Sequence, residues 1–282
     1  MNREEEIEIK KSREYIVAKS NTIVQKSRYD FSVAEQRTIA YICSKIKPLT
    51  VLDKAKHVPY QLEYEFKILD YTRTCGLEDN GKLYEDVKAT LKSLSDKSMW
   101  LQQEDGSEVL VRWLAKARTN KKSGKVTIKL DEDMVPYLFD LKEKFLSYGL
   151  KNILNMKSQY SIRLYELLKS IQGQKNGFDH RDKLTKSKDP YTAEWIVDVD
   201  QLKKTLMVDS IKSYKDFGVF RQKVLEPAMK EINLLTDINV EYEPITKGRK
   251  VIKIQFKIVD KLFDEKCDAE WLNDDLLNGE EI

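Results

Sequence analysis

The sequence predicts an α+β fold of two tandem winged helix-turn-helix domains. Three observations carry that expectation. Helix, strand, short helix, turn, longer helix and hairpin follow one another in that order. The same order recurs in the second half of the chain, and each unit closes with a hairpin holding a basic stretch free of acids. At 282 residues the chain is about twice a typical domain length, so size also leads to two packed units.

Residues 32–46 (SVAEQRTIAYICSKI) show helical spacing, and Ser32 with Glu35 makes a capping box at the start. Residues 60–68 (YQLEYEFKI) alternate, with Leu62, Tyr64, Phe66 and Ile68 on one face and Gln61, Glu63, Glu65 and Lys67 on the other, which is a strand. A short helical stretch, 69–75, stops at Gly76. After the turn EDNG, residues 81–97 repeat Leu83, Val87, Leu91 and Leu94, the stripe of an amphipathic helix. Residues 111–130 (VRWLAKARTNKKSGKVTIKL) then hold seven basic residues and no acid, in two arms around the polar turn 120–124.

The second unit repeats this order. Residues 158–171 form a helix with Ile162, Tyr165, Leu168 and Ile171 on one face; a hydrophilic loop, 172–194, leads to a strand at 195–199 and a small helix at 200–206. A long helix within 213–235 carries the stripe Phe217, Phe220, Val224, Ala228, Ile232 and Leu235. The closing hairpin alternates Ile238, Val240 and Tyr242 against Ile252, Ile254, Phe256 and Ile258, with Lys247, Arg249, Lys250, Lys253 and Lys257 and no acid between 244 and 258. Gly218 costs a helix interior about 1 kcal/mol relative to alanine. Either the long helix starts near it or another backbone approaches closely there.

The formal charge is only +3, but it is unevenly placed. Residues 260–282 hold nine acids against Lys261 and Lys266, a net of −7, and the first 18 residues are slightly acidic. The body, 19–259, is therefore near +11. A basic body between acidic ends suits a nucleic-acid partner, which the whole-chain figure conceals. Taken alone, either hairpin has a solvated strand face as its lesser alternative; two at the same place in two repeats point more firmly to phosphate.

The candidate DNA contacts follow from this layout. In the first unit they are Lys82, Lys88 and Lys92 on the long helix and Arg112, Lys116, Arg118, Lys121, Lys122 and Lys125 on the hairpin. In the second they are Lys212, Ser213, Tyr214, Lys215, Arg221, Gln222 and Lys223 at the front of the helix, where the helix dipole adds to the positive charge, and Lys247, Arg249 and Lys250 on the hairpin. Arg221 and Gln222 suit base edges, because a guanidinium bridges guanine O6 and N7 and a carboxamide pairs with adenine.

Other chemistry is poorly served. Cys43, Cys75 and Cys267 are odd in number and widely spaced, which fits neither a disulfide framework nor a zinc site and suits a reducing cytoplasm. The first residues have no apolar core of a signal peptide, and no stretch nears 18 consecutive apolar residues, so no membrane association is expected. GLEDNGK (76–82) matches the start of a phosphate-binding loop, yet Leu83 stands where magnesium needs Ser or Thr, and YTRTC before it is not a buried strand. His57 and His180 form no two-histidine metal motif, and no glycine-flanked serine nucleophile is present. Glu63/Glu65 and Asp198/Asp200 read as solvent-facing strand positions or helix caps. The expectation is no enzyme, no metal and no cofactor.

At this level of detail the chain resembles the iteron-binding plasmid replication initiators of the RepA/RepE/Pi type. The resemblance spans about 19–259 and rests on KSNTIVQKSRYDFSVAEQRTIAYI (19–42), SQYSIRLYELLKS (158–170), WIVDVDQLKKTL (195–206) and above all SYKDFGVFRQKVLEPAMKEINLLTDINVEYEPITKGRKVIKIQF (213–256). It implies two winged-helix domains related by pseudo-twofold symmetry, here 19–142 for dimerisation and phosphate contacts and 143–259 for sequence-specific binding. The segments 1–18 and 260–282 are then a charged N-terminal extension and an acidic tail. It further implies monomers on directly repeated origin DNA, opening of an AT-rich segment, loading of the host helicase with host initiator and chaperones as further partners, and dimers, through the first domain, that repress their own gene. Base reading falls on Lys215, Arg221, Gln222 and Lys223, and Pro227 marks a bend tolerated in a helix. A bacterial, plasmid-encoded cytoplasmic protein is implied. The alternative is a winged-helix transcription regulator that opens nothing.

The charge layout generates a first prediction, that the tail competes with DNA for the basic hairpins. Deleting 260–282 raises nonspecific DNA affinity at low salt, measured by fluorescence anisotropy; an unchanged affinity leaves the tail a solvated end.

Overall fold

The computed structural model describes residues 7, 11–50, 53–54, 56–77, 81–103, 105–141, 145–173 and 192–261. Half of the N-terminal extension, residues 78–80 of the turn EDNG, most of the loop 172–194 and the acidic tail beyond Lys261 lie outside the described residues, as do Cys267 and His180. The chain begins with strand β1 (Ile16–Ser20), helix α1 (Asn21–Lys26) and the two-residue strand β2 (Ser27–Arg28). Helix α2 (Val33–Cys43) has the expected capping box: the Ser32 hydroxyl accepts from the Glu35 N–H, and the Glu35 carboxylate accepts from the Ser32 N–H.

Strand β3 (Glu63–Lys67) buries Tyr64 and Phe66 and exposes Glu63, Glu65 and Lys67, as its alternation predicts. Helix α3 (Ile68–Cys75) ends where Gly76 adopts φ 64°, a left-handed conformation that glycine takes without strain. Helix α4 (Leu83–Asp96) buries Val87, Leu91 and Leu94. Around these elements Tyr41 packs edge-on against Phe66 and Tyr71, with ring centroids 5.3 and 5.1 Å away.

Next comes a hairpin that the sequence reading does not anticipate, β4 (Ser98–Gln102) and β5 (Glu108–Arg112). Its core face is Met99, Leu101 and Val111, but Trp100, Val109 and Leu110 are exposed, so the alternation that announces a strand is blurred. The basic hairpin consequently starts later than expected, with β6 (Leu114–Asn120) and β7 (Lys125–Leu130). Arg112 belongs to β5, separated from the basic hairpin by the buried Trp113.

Beyond a short helix α5 (Val135–Leu138), strand β8 (Phe145–Gly149) pairs antiparallel with β1, from Ile16↔Gly149 to Ser20↔Phe145. Ile16, Val17 and Ala18, assigned by the sequence to a charged extension, are therefore core residues of a strand buried on both faces. This sheet also crosses the division expected at 142/143. Helix α6 (Lys151–Leu154) leads to the long helix α7 (Gln159–Gly173).

The second unit continues with β9 (Thr192–Asp198), α8 (Val199–Thr205) and a 3-10 turn at Lys212–Lys215. Its long helix comes in three pieces: α9 (Phe217–Phe220), a π turn at Arg221–Leu225, and α10 (Glu226–Leu235). The hairpin β10 (Ile238–Lys247) and β11 (Lys250–Asp260) closes the unit. The two three-stranded sheets have the same plan. In each, the strand before the short helix pairs with the second arm of the hairpin, giving the orders β3-β7-β6 and β9-β11-β10.

Helix α7 is held from both sides. Toward the first unit, Glu166 ion-pairs with Lys19 of β1 and accepts from Tyr148 of β8 at 2.6 Å, while Arg163 donates to the Tyr29 hydroxyl at 2.8 Å and the Ser27 carbonyl at 2.9 Å. Toward the second, Tyr165 donates to Asp237 at 2.8 Å and Lys169 ion-pairs with the same carboxylate at 2.8 Å. Burial, the largest single influence, lowers the Lys19 pKa; the charge and hydrogen bond of Glu166, together with Tyr29 and Cys43, outweigh it in sum and the net shift is upward. A raised lysine contributes its stability below its unfolded pKa, so the contribution of Lys19 is intact through the neutral range and is lost as pH rises through its folded, raised pKa.

Both partners of Lys19–Glu166 are buried, so removing one leaves the other charge unpaired. Glu166→Leu costs about 3–5 kcal/mol of unfolding free energy in urea titrations; a loss of under about 1 kcal/mol, the value of an exposed pair, contradicts this account of α7.

Candidate nucleic-acid interface

In each unit the long helix and the basic hairpin frame an open groove. The groove of the second unit, about 940 Å³, lies between α8, the start of the long helix and the hairpin tip, and is lined by Lys203, Lys204, Lys215, Arg249 and Lys250 together with Asp200, Asp209 and Asp216. That of the first unit, about 580 Å³, lies between α4 and β6; Lys88, Lys92 and Lys116 border a floor of Ala89, Ala115 and Ala117. Small floor residues leave room for a backbone, and the lysines at the edges supply the charge.

The hairpin of the second unit is organised for an anion. Gly248 takes φ 62° in its two-residue turn, and Lys247 and Lys250 stand directly opposite each other with Arg249 at the tip. Like charges in register destabilise a hairpin unless a counter-charge arrives. Lys212, Ser213, Lys215, Gln222 and Lys223 are exposed, and none of the lysines among them has an acidic partner among the described residues. Tyr214 is half-buried, with its ring 6.4 Å from that of Phe220, so it positions the turn.

Three expectations concern this helix. The chain enters it at Phe217, and the Asp216 carboxylate accepts from the Val219 N–H at 2.9 Å. The first alternative for Gly218 is therefore the correct one: a Cβ there would sit 3.0 Å from the capping Asp216 oxygen. The same cap corrects the expected contribution of the helix dipole, because a carboxylate already occupies the positive end. Pro227 lies at the start of α10, directly after the π turn, so the tolerated bend is that turn.

Arg221 is half-exposed and ion-paired, its Nε 3.3 Å from Glu226 Oε1. In the first unit, Lys121 lies 3.6 Å from Glu85 with its ammonium 5.6 Å from the Tyr84 ring centroid, and Lys125 lies 2.6 Å from Glu65. Lys92 pairs with Asp96. Lys88, Lys116, Arg118 and Lys122 are exposed without an acidic partner among the described residues. Lys116 faces Lys129 across the hairpin, and Arg118 faces Thr127, which makes the exposed face basic as its alternation predicts. Lys82 stands at the entry to α4 without a side-chain capping hydrogen bond. Arg112, on β5, lines neither groove; Arg221, Gln222 and Lys223 line neither as well, but stand exposed on the long helix itself.

Sequence reasoning missed Lys203. It is buried, its ammonium lies 5.2 Å from the Phe220 ring centroid, and it donates to the Lys215 carbonyl at 3.4 Å, tying α8 to the turn before the long helix. Burial lowers its pKa, with Asp200 and Asp216 opposing. The signal was present as the apolar spacing Val199, Leu202, Leu206, which places Lys203 on the buried side.

Comparison with known proteins agrees with this architecture. Residues 16–169 match the family model described as initiator replication protein, WH1, and residues 198–258 match that described as initiator Rep protein, WH2. A replication initiation protein of Escherichia coli is 24% identical over 273 residues, covering 95% of this chain and 77% of that protein. The PI protein of Escherichia coli is 27% identical over 162 residues, covering 53% of this chain and 48% of that one. The crystal structure of the Pi initiator protein in complex with iteron DNA shares the fold, with a TM-score of 0.64, 20% identity, and coverage of 88% of this chain and 98% of that one. With both of its winged-helix units matched, the chain belongs to the family of initiator replication proteins.

Proposed function

We propose that this chain starts plasmid replication by binding directly repeated origin DNA through its two grooves, as a protein without catalytic activity or cofactor, in the bacterial cytoplasm. The observation that carries the reading is the repeated arrangement of long helix and basic hairpin, with a lysine-edged groove in each unit: at the helix start and hairpin tip in the second, and along the helix and first hairpin arm in the first. That the Pi initiator, whose fold this chain shares, is bound to iteron DNA in its crystal structure supports it. Binding energy is then the mechanism. Each unpaired lysine that meets a phosphate releases counterions, and copies bound side by side store bending strain that lowers the cost of opening flexible AT-rich steps. Host helicase, initiator and chaperones are the partners of the next stage.

The test is purified protein on supercoiled DNA carrying the direct repeats that flank its gene. Occupied repeats should be accompanied by permanganate-reactive thymines in the neighbouring AT-rich tract. Occupied repeats with no reactive thymines would leave the chain a transcription regulator.

Self-association through the first unit, expected for repression of its own gene, is supported by the unanticipated hairpin. Strand β5 is an edge of the β2-β4-β5 sheet, and Leu110 and its cross-strand neighbour Trp100 are 46% and 55% exposed. An exposed apolar edge is a template for another strand. Antiparallel pairing of β5 with a second copy about Leu110 would set Glu108 of one copy against Arg112 of the other, twice. Arg112 thus serves dimerisation in this proposal and leaves DNA to its neighbours. Glu108→Arg should give a monomer in sedimentation analysis, and Glu108→Arg with Arg112→Glu should restore the dimer. A double variant that stays monomeric overturns this pairing.

A further inference from the structure

We propose that Glu226 is a positioning residue for base reading: its carboxylate holds Arg221 by Nε and turns both terminal nitrogens of the guanidinium outward, toward one guanine. The inference rests on the DNA-binding reading above and names the device by which one helix position becomes specific.

The pair exists because of the π turn. In a regular α-helix, residues five apart point roughly 140° away from each other and their side chains do not meet. Between 221 and 225 the helix widens, and the Glu226 N–H donates to the Arg221 carbonyl five residues back. Residues 221 and 226 are thereby brought one above the other, with Arg221 Nε 3.3 Å from Glu226 Oε1. Pro227 accounts for the widening: it has no N–H for the Lys223 carbonyl and its ring presses on that carbonyl in a regular helix. Sequence therefore sets the turn, and the turn sets the pair.

Both side chains are about half exposed. Neighbouring strand β10 contributes Tyr242, half-buried against Phe256, whose ionisation burial and Glu226 oppose while Arg221 favours it, so both charges lie beside one phenol. A guanidinium reads guanine through two parallel N–H donors, at O6 and N7. A carboxylate on Nε leaves Nη1 and Nη2 for that fork and removes the rotamer freedom that an unheld arginine would lose on binding.

The experiment is a double-mutant cycle on the 20-base-pair duplex that the wild-type protein enriches from a randomised pool, with every single-base substitution of it as competitor. Arg221→Ala abolishes discrimination at one guanine, a loss of about tenfold or more. Glu226→Gln lowers discrimination at that same position by several-fold, leaves the slope of affinity against salt and the melting temperature unchanged, and adds nothing in the Arg221→Ala background. Pro227→Ala, which lets the helix regularise, reproduces the Glu226→Gln profile although the carboxylate is still present. Full discrimination in Glu226→Gln, or additive losses in the double variant, overturns the assignment of Glu226. A wild-type protein that enriches no sequence at all overturns the DNA-reading function itself, and with it this proposal.

Discussion

The buried contacts of α7 are the constraint from which the rest of the architecture follows. Its Glu166 is neutralised by Lys19 from β1 and by the Tyr148 hydroxyl from β8, and its Tyr165 and Lys169 meet Asp237 at the far end of α10. A carboxylate in that setting is tolerable only while its partners stay in place. The helix is therefore fixed in the first unit and in the second at once, and the sheet β1–β8 that carries Lys19 and Tyr148 is drawn into the same cluster. A division of the chain between 142 and 143 cuts through this assembly, whereas the WH1 model, ending at 169, keeps most of α7 with β1.

Once α7 is fixed, the remaining elements of each unit have little choice. The short helix and the long helix pack over a three-stranded sheet, and the sheet's strand order puts the first hairpin arm at the outer edge in both units. In the first unit that edge, β6, carries Lys116 and Arg118, where unpaired basic side chains cost least because water solvates them until an anion replaces it. In the second unit the tip concentrates three cations over four residues, Lys247, Arg249 and Lys250, against a groove edged by Lys203, Lys204 and Lys215. Acids are present too: Asp216 is committed to a helix cap and Glu226 to Arg221, so their charge is locally spoken for.

Much of this was legible because it depends on local spacing. The capping box at Ser32, the alternation around Tyr64 and Phe66, and the stripes of α4 and α7 each follow from the period of one element and were placed within a few residues. What stayed hidden depends on partners distant in sequence. Residues 16–18 read as part of the charged N-terminal extension because a strand buried on both faces shows no alternation, and the strand's one lysine, Lys19, is neutralised by a residue 147 positions away. The β4–β5 hairpin was obscured by its exposed Trp100 and Leu110, the very residues that make its edge adhesive. At the site, the basic residues were visible as composition, but which of them are free and which are tied to Glu85, Glu65 or Glu226 is decided by packing alone.

Pro227 shows how far a single residue can carry across these levels. In sequence it looks like an interruption of the stripe Val224, Ala228, Ile232, yet all three are buried, so the helix keeps its core face through the bend. It does so because the widened turn inserts its extra residue on the exposed side: Val224 and Leu225 both reach the core, and Arg221, Gln222 and Lys223 all remain outside. A straight helix of the same composition would have to carry one of those polar residues inward or lift an apolar one out. The local defect thus preserves the packing of the second unit and, by the same geometry, presents three consecutive polar side chains to solvent on one turn.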